Sequence, residues 1–197
     1  MKKAVFFDRD GVIIELPKGN EAYGFTLKKE DVRILPNVPE ALDILKQEGF
    51  LIIIVTNQPA IARGIARCEE VEELHRSINE SLGGRIDRFY FCPHHPEMHP
   101  DVPEHARKYR IACECRKPAP GMLLEAARDF DIDLKKSWMI GDMITDIAAG
   151  EAAGCNTVMI ESAANERTPI SAKHFNRSAV PTARARDVMG AVKYIQK

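Results

Sequence analysis

Ala4-Val5-Phe6-Phe7-Asp8-Arg9-Asp10-Gly11-Val12 is the stretch on which the reading of this fold turns. Four apolar residues, β-branched and aromatic among them, run unbroken and then stop at two carboxylates. A run this short and this apolar suits a strand buried on both faces of a parallel sheet, where no alternation is needed. In an open α/β sheet ligands bind beyond the carboxyl ends of the strands, so Asp8 and Asp10 stand where chemistry is expected. Gly11 lets the backbone turn away. Carboxylates at i and i+2 on such a turn can face one small site, one attacking or holding a metal while the other moves a proton. An exposed Asp-Gly turn accounts equally well for these residues taken alone, so the weight falls on the rest of the chain.

Composition sets the bounds. With 197 residues and 45% hydrophobic content, the chain can bury one sizeable core, and residues 1–197 are expected to form a single domain. A net charge of −1, from 28 basic and 29 acidic residues, gives no broad basic field, so neither nucleic acid nor a membrane surface is an expected partner. The apolar runs are too short for a signal segment or a membrane span. Five cysteines, an odd count, argue for thiols or metal ligands rather than a disulfide framework. The expectation is a monomer in the cytoplasm with a small-molecule partner.

Along the chain, residues 15–31 show no sustained period and read as a loop or flap over the strand end. Asn37 precedes Val38, Ala41, Leu42 and Leu45 at helical spacing, and Gly49 closes that helix. Phe50 to Val55 is a second strand ending in Thr56-Asn57-Gln58. An amphipathic helix over 69–82 stops at Gly83-Gly84, and 86–91 is a third strand. Pro120-Gly121 opens a helix to Phe130; Trp138-Met139-Ile140 is a strand ending in Gly141-Asp142. A helix over 145–153, a strand over 157–160, a loop over 162–182 and a helix over 186–195 complete the pattern. Strands alternating with helices predict a doubly wound parallel α/β sheet.

Three strand ends then bring distinct chemistry to one edge: Asp8 and Asp10, Thr56 and Asn57, and Asp142 with Asp146. Lys117 lies just before the helix that starts near Pro120. Carboxylates from separate strands make an oxygen-rich pocket suited to Mg²⁺, which takes few carboxylates plus water and substrate phosphate. A hydroxyl, an amide and a lysine beside it are what a phosphoryl group needs, because catalysis of its transfer is mostly positioning and charge stabilisation.

The segment between Cys92 and Cys115 carries four of the six histidines and little periodicity, and is longer than an ordinary connection. Cys92-x-His94 and Cys113-x-Cys115 offer a Cys₃His set for tetrahedral Zn²⁺; His95, His99 and His105 are further candidates for the imidazole. Reduced surface thiols or a solvated histidine cluster fit the spacing too. Cys68 and Cys155 read as small apolar residues, His75 and His174 as surface residues, and Trp138 as core. Arg63 suits an anion or plain solvent equally.

Taken in order, Asp8-x-Asp10-Gly11, Thr56-Asn57, Lys117-Pro118 and Gly141-Asp142-x-x-x-Asp146 resemble the four motifs of the haloacid dehalogenase (HAD) superfamily of phosphatases over residues 4–161. Asn57-Gln58-Pro59-Ala60-Ile61-Ala62-Arg63-Gly64, with Cys92-Pro93-His94-His95-Pro96 and Cys113-Glu114-Cys115-Arg116-Lys117-Pro118, is similar to the family of D-glycero-D-manno-heptose 1,7-bisphosphate 7-phosphatases, which serve lipopolysaccharide precursor synthesis. Histidinol-phosphate phosphatases are close relatives with a similar cysteine loop.

The resemblance implies a HAD-like Rossmannoid fold with a minimal cap and a zinc-stapled loop. It implies that Asp8 is the nucleophile and Asp10 the acid–base, and that Asp8, the Asp10 carbonyl and Asp142 hold Mg²⁺ with Asp146 in support. Thr56, Asn57 and Lys117 would hold the phosphoryl oxygens, Arg116 a second phosphate, and Cys92, His94, Cys113 and Cys115 a structural Zn²⁺. Val12, Pro59-Ala60 and Met143 depart from the family pattern, and the cysteine loop is longer than usual. Two other readings compete: a phospho-acceptor domain of receiver type, and a zinc-stapled binding module with an inactive acidic pocket.

Overall fold

The computed structural model of the chain describes residues 1–16, 26–96, 102–161 and 179–196; His99, His174 and most of the segments 15–31 and 162–182 lie outside the described residues. Six strands, β1 (Lys3–Phe7), β2 (Phe50–Asn57), β3 (Arg88–Cys92), β4 (Trp138–Gly141), β5 (Asn156–Ile160) and β6 (Ala183–Ala185), pair in the order β3-β2-β1-β4-β5-β6, all parallel. The order grows outward from β1 and β4 in both directions, so the crossovers diverge there and a crevice opens beyond those strand ends. The same order removes the receiver-type reading, since that fold runs 2-1-3-4-5.

The helices are α1 (Val38–Gln47), α2 (Cys68–Ser81), α3 (Glu104–Arg107), α4 (Gly121–Phe130), α5 (Ile144–Ala153) and α6 (Val188–Ile195). Continuous apolar runs are required in the central strands because both faces are covered. Val5, Phe7, Ile52 and Ile54 pack with Leu42 and Leu45 of α1 and Val192 of α6, whereas Ala4, Phe6, Ile53 and Val55 pack with Met122, Leu123 and Ala126 of α4. Each such fully buried aliphatic side chain contributes about 1.5–3 kcal/mol, which fixes the strand ends that carry the site.

Four details differ from the sequence reading. Asn37 does not cap α1 with its side chain; it sits in the left-handed region at φ 64, which asparagine tolerates, and turns the chain into the helix. β6 lies just beyond the segment read as loop, too short for a period to show. Trp138 is only partly buried at the start of β4. His75, read as a surface residue, is 4% exposed, because it shares the α2 face of Val71, Leu74 and Ile78.

Candidate active site and metal centres

β1 ends one residue before Asp8, whose N–H donates to the Ile140 carbonyl of β4 at 2.9 Å. The carbonyl of Arg9 accepts from the amides of Ile13 and Ile14, both at 3.0 Å, which closes the turn carrying Asp10. Gly11 at φ 83 is dictated by position: a Cβ there would stand 2.3 Å from Asp142 Oδ2. Asp142 follows β4, and Asp146 reaches back from the first turn of α5 so that its Oδ2 accepts from Met143 N at 2.9 Å. A carboxylate at a helix N-terminus is favoured by the unpaired amides and the dipole. Gly141 permits it, since a Cβ there would lie 2.2 Å from that of Asp146.

Lys117 is the electrostatic centre. Its Nζ donates to the Val55 carbonyl at 2.7 Å and forms ion pairs with Asp8 Oδ1 at 2.9 Å and Asp146 Oδ1 at 2.7 Å. Burial works against its charge, but Asp146 and Asp8 outweigh burial and raise its pKa above the ordinary lysine value. Asp146 is pushed up to about 6, first by burial, with Lys117 opposing. Asp10 is also raised, again by burial first, with Arg9 opposing and Asp8 adding to the rise. Side-chain exposure separates the roles: 13% for Asp8 against 1% for Asp146. Asp8 can be reached from outside; Asp146 cannot.

Asp8, Asp142 and Asp146 offer carboxylate oxygens within 4.8 Å of one another. With Asp10 they make four carboxylates facing two cations, Lys117 and Arg9. The deficit of two charges is what one divalent cation offsets, and an all-oxygen donor set suits Mg²⁺. The residues present fit that ion.

Thr56 and Asn57 end β2 as expected, but their side chains are committed differently. Asn57 Nδ2 donates to the Lys117 carbonyl and Asn57 Oδ1 accepts from Lys117 N, both at 3.0 Å, so Asn57 fixes the lysine. Thr56 Oγ1 accepts from Gln58 Nε2 at 2.9 Å, and the same Nε2 lies 3.2 Å from Asp10 Oδ2. Gln58 is a site residue that the sequence reading quoted without giving it a role. Arg9, wholly buried and paired with Asp10, is another. Arg116 donates from Nη1 to the His94 carbonyl at 3.3 Å, and Arg63 is half-buried in the turn after Gln58.

The cysteine set converges. Cys115 Sγ lies 3.2 Å from Cys92 Sγ, 3.3 Å from Cys113 Sγ and 3.3 Å from His94 Nδ1; Cys92 lies 3.5 Å from Cys113 and 3.7 Å from His94 Nδ1. These spacings approximate the edges of a tetrahedron whose bonds are ~2.0–2.3 Å, the lengths for zinc with nitrogen and sulfur. They are far beyond a disulfide at ~2.05 Å. The hydrogen bond shared with Cys92 pulls the Cys115 thiol down to about 5, while the same contact and burial push Cys92 up. His95 is buried with its amide on the Tyr109 carbonyl, and neither it nor His105 joins the cluster. Cys68 donates to Tyr109 Oη at 3.1 Å, and Cys155 is buried, as expected of a small apolar residue.

Known proteins point the same way. Residues 114–188 match the HAD-hydrolase-like family model. The chain is 40% identical over 156 residues to D-glycero-β-D-manno-heptose-1,7-bisphosphate 7-phosphatase of Rhodopseudomonas palustris, covering 78% of this chain and 80% of that one. Against the enzyme of that name from Escherichia coli K12 it is 36% identical over 169 residues, covering 84% and 82%. In fold it is similar to D,D-heptose 1,7-bisphosphate phosphatase from B. bronchiseptica, a structure complexed with magnesium and phosphate, at TM-score 0.76 and 24% identity over 98% of both chains. With relatives this similar over four-fifths of their length, and with the motif residues gathered at the crevice between β1 and β4, the chain belongs to the heptose-bisphosphate phosphatase family of the HAD superfamily.

Proposed function

We propose that the chain removes the 7-phosphate of D-glycero-D-manno-heptose 1,7-bisphosphate through an aspartyl-phosphate formed on Asp8. The observation that carries this reading is Asp8 itself, a reachable carboxylate pinned by Lys117 in a pocket short of two positive charges. The substrate is taken from the relatives' names. An oxygen of Asp8 attacks phosphorus as the bond from phosphorus to the sugar oxygen breaks, and Asp10 gives its proton to that leaving oxygen. Asp10 then takes a proton from water, whose oxygen attacks phosphorus and returns Asp8 as a carboxylate. Lys117 and Thr56 hold phosphoryl oxygens, with Asn57 fixing Lys117. Asp8, Asp142 and the Asp10 carbonyl would hold Mg²⁺, which supplies charge stabilisation for the phosphoryl oxygens. Cys92, His94, Cys113 and Cys115 would hold a structural Zn²⁺.

Two tests follow from this assignment. Asp142→Ala should raise the Mg²⁺ concentration needed for half-maximal rate by tenfold or more, on the order of a lost charged ligand, and EDTA should silence the wild type reversibly. Initial rates against Mg²⁺ concentration check it, and activity persisting without any divalent ion contradicts it. Arg116→Ala should lower kcat/KM for the heptose bisphosphate by ~10–10²-fold, the worth of a charge-assisted contact, and spare a heptose monophosphate. Equal losses remove the distal-phosphate role. A wild-type preference for histidinol phosphate over both sugars would move the chain to that activity.

A further inference from the structure

Arg9 stands between the two motif carboxylates and is wholly buried, so each of its N–H donors needs an acceptor. Its Nε lies 3.1 Å from Asp10 Oδ2 and its Nη2 3.2 Å from Asp10 Oδ1, a two-pronged grip on both oxygens. Nη2 also donates to the Thr26 carbonyl at 3.3 Å, and Nη1 lies 3.1 Å from His75 Nε2. A guanidinium only donates, so His75 Nε2 must present its lone pair, which makes the imidazole neutral with its proton on Nδ1. Burial, and then the Arg9 charge, hold the His75 pKa well below that of an ordinary histidine, in keeping with that form.

The ring has no freedom to turn away. It stacks on Phe89 at 4.5 Å with the planes 15° apart and meets Phe91 edge-on at 5.6 Å. Phe89 and Phe91 are two apart on β3 and so share one face of the strand. On the far side of Asp10, Gln58 ties Oδ2 to Thr56. A continuous line therefore runs from two strand aromatics through His75 and Arg9 to the carboxylate that moves the proton.

We infer that His75 is a positioning residue for the hydrolysis: its Nε2 anchors Arg9, and Arg9 fixes where the Asp10 carboxylate stands. The inference rests on the acid–base role proposed for Asp10. Without an acceptor at position 75, a buried guanidinium N–H must find another, and the guanidinium turns with Asp10 attached. Misplacing a catalytic group by about 1 Å can cost ~10²-fold. In kcat/KM, which reports the steps up to departure of the leaving group, that loss should appear where the leaving oxygen needs a proton, as a sugar's does and p-nitrophenolate does not. Hydrolysis of the aspartyl-phosphate, where Asp10 acts as base, is common to both substrates and shows only in kcat.

The experiment compares kcat and KM on heptose bisphosphate and p-nitrophenyl phosphate for wild type, Asp10→Asn, His75→Phe and His75→Gln. His75→Phe keeps the stack but offers no acceptor, and its kcat/KM should fall ~10–10²-fold on the sugar and by no more than about threefold on the aryl ester. His75→Gln, whose carbonyl can accept from Arg9, should recover the sugar rate to within about threefold of wild type. Imidazole ¹⁵N NMR of the wild type, with His75 identified by its loss in His75→Gln, should show the Nδ1–H tautomer. Equal losses of kcat/KM on both substrates in His75→Phe, a glutamine no better than phenylalanine, or an Nε2–H ring in the wild type overturns the inference. Should His75→Phe not fold, the glutamine kinetics and the tautomer decide. Asp10→Asn keeps the two readings apart: a leaving-group split there without one at His75 overturns only the positioning role, whereas no split at Asp10 removes the acid–base assignment beneath it.

Discussion

Asp8→Asn is expected to abolish turnover, on the order of 10⁴-fold or more, as loss of a nucleophile does elsewhere, while leaving the fold intact. The amide has nearly the shape of the carboxylate, and its oxygen can still accept from Lys117 Nζ, now 2.9 Å from Asp8 Oδ1. What it lacks is the charge and the lone-pair basicity needed to form an acyl-phosphate. Stability should hold for an electrostatic reason. The pocket sets four carboxylates against Lys117 and Arg9, so removing one carboxylate relieves repulsion, and Lys117 keeps Asp146 at 2.7 Å. Thermal unfolding should therefore stay within a few degrees of wild type at low divalent-ion concentration, even as labelled phosphate ceases to be incorporated into protein during turnover. A variant that turns over within tenfold of wild type would remove Asp8 as nucleophile.

Asp8, Asp10 and Asp142 were legible because their meaning is positional: each follows an apolar run, and such runs end at the functional edge of a parallel sheet. Core strands were legible for a related reason, since burial on both faces leaves no polar residue to blur the run. Side-chain commitments were harder to read. Asn57 could face a phosphate or a backbone, and only the approach of residue 117, sixty positions away, settles that its amide holds Lys117.

Arg9 between two aspartates looks like a surface charge until burial shows that Asp10, Thr26 and His75 absorb its donors. The stripe of Val71, Leu74 and Ile78 did contain a sign of His75, which lies within the same arc of α2. Histidine is intermediate in its burial, so its type alone does not mark it as part of that stripe. β6 carries Arg184 at the middle of three residues, so neither length nor period could mark it.

Cys113→Ser is expected to abolish the zinc binding proposed for the cysteine loop and lower kcat/KM by ~10–10²-fold, the range seen when the support of a site is lost, without unfolding the sheet. A closed Cys₃His site depends on every thiolate, and a hydroxyl is a poor fourth ligand for zinc. The core cluster around α1 contains no cysteine of the loop, and in the cluster around α4, where Cys92 is buried and Cys113 and Cys115 pack at the edge, Cys113→Ser changes one partly buried atom, so far-UV circular dichroism should not change. The activity loss has a traceable route. Cys92 ends β3 in register with Asn57 of β2, Asn57 holds both backbone groups of Lys117, and Cys115 stands two residues before Lys117. Zinc across Cys92 and Cys115 would close that circuit, and Arg116 is drawn into it by its bond to the His94 carbonyl. Opening the circuit leaves Lys117 held by Asn57 on one side only and releases Arg116 from its aim, so KM for a bisphosphate should rise along with the fall in kcat. Elemental analysis, limited proteolysis between residues 92 and 115, and kinetics on mono- and bisphosphate substrates measure each link. A Cys113→Ser protein that keeps one equivalent of zinc and normal rates would overturn the ligand set. One that loses zinc but keeps normal rates would instead confine the metal to stability, because Asn57 alone would then suffice to hold Lys117 against Asp8.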